Sequence, residues 1–108
     1  MNLRTLGSEE QALIEHMLHE VSQENRFRDL ISNCLVEDLS NGGMGSTRFD
    51  SQNRGERRLG EDLCQSEFLD FDGVPILATL SLDNFGQLFE LDLWKVDFSP
   101  ILQFPLVH

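Results

Sequence analysis

The sequence predicts an α+β domain, with one or two N-terminal helices packed on a mainly antiparallel sheet of about five strands. Three observations carry this expectation. Apolar residues recur at helical spacing up to about residue 35, and from residue 61 onward they alternate with polar ones at period two. Between two of the alternating runs stands Asp72-Gly73, a strong hairpin signal. A chain of 108 residues suits one core, with about 6,000 Å² of accessible surface by folded-size scaling. The expected organisation is a single domain over 1–108, divided into a leader (1–7), a helical region (8–35), an antiparallel sheet (36–100) and a tail (101–108).

Ser8 followed three positions later by Gln11 fits a capping box, and Glu9 and Glu10 suit the positive end of a helix dipole. Leu13, Ile14, Met17, Leu18 and Val21 then mark one face of a helix from Ser8 to Gln23. His16 and His19 share that helix but lack a third ligand at any recognisable spacing, so no metal is assigned. Phe27, Leu30, Ile31 and Cys34 fit a second short helix from Arg26 to Leu35. Val36–Leu39 and Ser46–Phe49 read as strands joined by Asn41-Gly42-Gly43-Met44-Gly45. A phosphate loop would need a helix after those glycines and a Gly-Lys-Ser/Thr sequence, and neither follows. Asp50–Gly60 reads as a polar, mobile loop holding the basic cluster Arg54, Arg57 and Arg58, whose arginines pair weakly with the acidic sheet.

In the C-terminal half, a two-residue Asp72-Gly73 turn sets Phe71 opposite Val74 and pairs Leu69 with Ile76, Glu67 with Ala78 and Gln65 with Leu80. Leu69, Phe71, Ile76, Ala78 and Leu80 then face the core. A four-residue loop, Asp83-Asn84-Phe85-Gly86, keeps Phe89, Leu91 and Leu93 on that face. A three-residue loop would turn Glu90 and Asp92 inward, and unpaired buried carboxylates are costly. Pro100 ends regular pairing.

The chain carries 19 acidic against 8 basic residues, a net charge of −11. From Glu61 onward nine carboxylates face Lys95 alone. Such a field repels nucleic-acid phosphate and anionic lipid and attracts basic partners. Cys34 and Cys64 have no metal-like spacing, and the absence of a spanning or signal-like run reads as a cytoplasmic chain with reduced thiols.

The sheet face opposite the core collects Phe68, Asp70, Leu77, Glu90, Asp92 and Trp94. These six residues are the candidate partner-binding site: aromatic anchors hold a complex while surrounding carboxylates steer a basic partner onto it. The Arg26–Leu35 segment or the tail offers a cover for the same face. Catalysis finds no support, with no tyrosine, no nucleophile elbow and no metal-ligand set. The chain reads as a non-enzyme without cofactors.

Asn41-Gly42-Gly43-Met44-Gly45-Ser46, Asp72-Gly73 and Glu90-Leu91-Asp92-Leu93-Trp94-Lys95-Val96-Asp97-Phe98-Ser99-Pro100 resemble a family of small bacterial domains similar to the immunity proteins encoded beside contact-dependent growth-inhibition and other polymorphic toxins. The resemblance extends from Leu13 onward. It implies a cytoplasmic inhibitor that binds one cognate toxin domain, often a nuclease, and it assigns no functional residues. The alternative is an acidic protein-interaction module whose partner is not a toxin.

Overall fold

A computed structural model describes residues 3–19, 21, 27, 31, 34–39, 45–50 and 55–105. It is an α+β fold. Among the described residues the elements are β1 (Arg4–Thr5), α1 (Ser8–Leu18), β2 (Leu35–Asp38), β3 (Thr47–Phe49), β4 (Leu59–Leu69), β5 (Pro75–Asp83) and β6 (Leu88–Lys95). The strands form one antiparallel sheet in the order β1-β2-β3-β6-β5-β4. No helix of the described residues is long and apolar enough to cross a membrane.

Helix α1 buries Leu13, Ile14, Met17 and Leu18 against Leu80, Leu91 and Leu93 of the sheet. Each such side chain contributes about 1.5–3 kcal/mol by leaving water. The helix ends with His19 as its C-cap, short of the expected Gln23. Its start is capped one residue earlier than expected. Gly7 is the N-cap, and Glu10, not Gln11, reaches back to accept the Gly7 N–H at 2.8 Å. Arg4, inside the expected leader, lies in β1 and bridges Glu10 of α1 (2.6 Å) to Asp38 of β2 (2.7 Å), tying helix to sheet edge. The expected second helix lies largely outside the described residues, although Phe27 and Ile31 are buried in the core. The glycine turn at 41–44 is also outside them. Its far end is described, where Leu39 N–H meets Ser46 O and Gly45 takes a positive φ of 80°.

Both hairpins depart from the expected register. Asp70 N–H bonds Val74 O, so the first loop has three residues, Phe71, Asp72 and Gly73, with Gly73 at φ 81°. This is the turn-plus-bulge alternative that an Asp-Gly pair also suits. One residue of slip exchanges the faces of β4: Phe68 pairs with Ile76 and turns to the core, while Leu69 is 71% and Phe71 84% exposed. The second loop also has three residues, closed by Asp83 N–H to Gln87 O. A bulge at Phe89 then restores the parity, since Leu82 pairs with Leu88 but Ser81 with Glu90. Leu88 thereby enters the core, and Glu90 and Asp92 stay on the outer face. The penalty on buried carboxylates acts here through a bulge instead of through loop length.

Candidate functional site: the outer face of the sheet

Outside the helix-covered side, β5 forms the floor of an open groove and β4 and β6 form its walls. Leu77, Thr79 and Ser81 lie on the floor. Asp62 and Gln65 stand on one wall, and Glu90, Asp92 and Trp94 on the other, around a volume of about 340 Å³. The pairing explains the arrangement. Leu77 lies opposite Trp94, Thr79 opposite Asp92 and Ser81 opposite Glu90, so each row crosses the groove at one level. The face grades from apolar, at Leu77 and Trp94, to acidic, at Asp92 and Asp62.

Four of the six sequence-predicted site residues meet here: Leu77, Glu90, Asp92 and Trp94. The other two do not. Phe68 is on the inner face, its ring 6.3 Å from that of His16, because the hairpin slip reversed β4. Asp70 is buried at the end of the sheet. Of the tail, the described residues Ile101 and Phe104 pack on the core cluster alongside Phe68 and not on the groove.

The carboxylates of the groove are not equivalent. Glu90 is engaged by Arg48 of β3, whose Nε donates to it at 2.9 Å. Asp62 and Asp92 have no cationic partner among the described residues. Asp92 accepts only from the Ser46 hydroxyl, at 3.2 Å. The open negative charge of the groove is therefore Asp62 and Asp92, and local alternation alone does not place Asp62 on this face.

Phe98 is a second residue that sequence reasoning missed. It follows β6 in a turn closed by its N–H to Lys95 O. Its φ is 65°, a conformation costing a non-glycine residue about 1–2 kcal/mol. The strained residue is 75% exposed, and its ring lies 5.3 Å from that of Trp94, itself 39% exposed. Backbone strain of this kind gathers where function requires a side chain in a fixed place.

Asp70 instead holds the end of the fold together. Its carboxylate accepts the N–H groups of Phe71 (2.7 Å), Leu102 (2.8 Å) and Gln103 (3.0 Å) and meets Lys95 Nζ at 2.9 Å. Burial alone would push this carboxyl up; the Leu102 N–H, the Lys95 ammonium and the other N–H donors outweigh it and hold it well below the usual carboxylate range. Arg57, assigned to a weakly paired mobile loop, is likewise fixed. Its guanidinium pairs with Asp83 at 2.8 Å, donates to Phe49 O and Leu88 O, and stacks with Arg48 about the Phe89 ring. Phe89 is thus held between two cations and not in the main core. Burial would raise the Asp83 carboxyl, but Arg57 and the N–H groups of Gln87 and Phe85 bring it below its ordinary value. Arg54 lies outside the described residues.

Among the described residues no group of three metal-ligating side chains converges, and of the groove carboxylates Asp62 and Asp92 are exposed. No curated protein and no solved structure matches the chain. Residues 3–105 match the model of a domain of unknown function, DUF6984, and over that span the chain belongs to this family.

Proposed function

We propose that this domain is an immunity protein that binds and neutralises a cognate toxin domain of basic, nuclease-like character, docking it on the outer face of the sheet. The observation that carries the reading is the exposed Trp94, opposite Leu77 and in one groove with Asp62 and Asp92, carboxylates that have no cationic partner among the described residues. A nuclease presents cationic groups to phosphate, so an acidic protein seated over them competes with its substrate. A standard interface of about 800 Å² per partner would occupy about an eighth of the 6604 Å² surface.

The cytoplasm is the compartment in which such an inhibitor acts. The test is co-expression with a tagged copy of the toxin-like domain encoded beside this chain. Co-purification together with rescue of growth supports immunity. A folded protein that captures a basic partner without rescue would make it a general interaction module, and one that does neither would remove the docking function.

A further inference from the structure

The geometry points to an extended basic segment of the partner, about five residues long, lying along β5 with an apolar side chain on Trp94 and Phe98 and alternate cationic side chains on Asp92 and Asp62. This inference rests on the outer face being a docking surface and goes further by naming the element it receives.

Groove width selects an extended chain. β4 and β6 are two strand spacings apart, about 10 Å between backbones, and their own side chains narrow that further. A helix with side chains is about 10–12 Å across and would ride on the rims. Groove length and spacing agree with this. Leu77, Thr79 and Ser81 mark three levels along about 13 Å, and their separation of two residues equals the repeat of an extended peptide. The levels differ in chemistry: Trp94 and Leu77 at the first, Asp92 at the second, Asp62 and the Arg48-paired Glu90 at the third. Read along the groove they specify apolar-x-basic-x-basic. Phe98 extends the apolar level, since its left-handed backbone sets its ring 5.3 Å from that of Trp94 before any partner arrives. Such preorganisation lowers the entropic cost of binding. A second copy of this chain is a poor occupant, because each carries a net charge of −11.

The probes are end-capped peptides LTRTR and RTRTL, one for each chain direction, and LRRTT, which has their composition without their spacing. Each is titrated into the full isotope-labelled chain by NMR. At least one patterned peptide is expected to shift the amides of Thr79, Asp92, Trp94 and Phe98 and to bind about tenfold more tightly than LRRTT, a difference of about 1.4 kcal/mol. Phe98→Gly keeps the positive φ and removes only the ring, and with Asp92→Asn it is expected to erase that preference. Equal binding of all three peptides, or shifts scattered over the acidic surface, would overturn the inference, as would concentration-dependent self-association through this face. If the patterned peptides fail while charge reversal at Asp62 and Asp92 still abolishes capture of the basic partner, the extended segment falls and the docking face stands; if charge reversal is also silent, both fall.

Discussion

Lys95 Nζ lies 2.9 Å from Asp70 Oδ2 and 2.7 Å from Asp72 Oδ2, with the lysine side chain only 1% exposed. This contact joins the last residue of β6 to the first hairpin loop, and through Asp70 to the N–H groups of Leu102 and Gln103. Removing the ammonium leaves a buried carboxylate facing only neutral donors, which costs far more than losing a surface pair. Lys95→Met is therefore expected to lower the urea midpoint more than Arg48→Ala does. Hydrogen exchange at Leu102 and Gln103 should rise with it, because the tail loses its anchor.

The same groups set the pH profile. Asp70, Asp83 and Asp38 all lie below their ordinary 3.8 in the folded chain. Their stabilisation is fully present above that value and is lost as pH falls through the lowered folded values. Lys95 lies above its ordinary 10.5, its bonds to Asp72 and Asp70 outweighing burial. Its contribution is present below 10.5 and is lost as pH rises through the raised value. Urea midpoints should be flat between about pH 5 and 9 and fall below about pH 4. A profile that falls already between pH 5 and 7 would contradict these assignments.

Thr47 is fully buried in β3, and its hydroxyl is the buried side-chain polar atom among the described residues that has no hydrogen-bond partner. Valine keeps the branched shape and removes the unsatisfied group. Thr47→Val is expected to stabilise the fold by about 1 kcal/mol, raising Tm by about 4–8 °C. Calorimetry checks it.

Gly60 sits at the first bulge of β4, where a Cβ would stand 2.4 Å from the Asp83 carbonyl oxygen. The neighbour is backbone and cannot rotate away. Gly60→Ala is expected to cost about 1–3 kcal/mol, read as a lower urea midpoint. Gly73 has open space around it, so alanine there meets only the strain of its positive φ.

What the sequence revealed was local. The α1 stripe of Leu13, Ile14, Met17 and Leu18 and the outward Glu90 and Asp92 follow from period and from the cost of burying charge. Register was not local. Asp72-Gly73 serves a two-residue or a three-residue loop equally, and the three-residue loop puts Asp70 on the inner face where Lys95 and the tail amides meet it. Lys95, Leu102 and Gln103 lie far along the chain, so the local pattern points Phe68 outward where the structure turns it to the core. Phe98 left no signal, because nothing in Asp97-Phe98-Ser99 marks a positive φ. Arg57 did leave one, as part of the only basic cluster in an acidic chain.

On the proposed docking face the aromatic anchor and the steering charges are different residues, so partner-binding kinetics should separate them. Trp94 is half-exposed and opposite Leu77, so Trp94→Ala removes contact area without opening the core. A central aromatic anchor is worth about 2 kcal/mol or more, which speeds dissociation about 30-fold with little change in association. Asp62→Lys with Asp92→Lys reverses the open charges, and should slow association several-fold at low salt and lose that effect as salt rises. Reversing Glu90 is a poorer probe, because it also strips Arg48 of its partner and disturbs the β3–β6 seam. Surface plasmon resonance of the cognate basic domain against both folded variants, at two ionic strengths, resolves the two rates. Unchanged rates in both would take this face out of the interaction, whereas a change confined to association would keep the charges and remove the aromatic anchor.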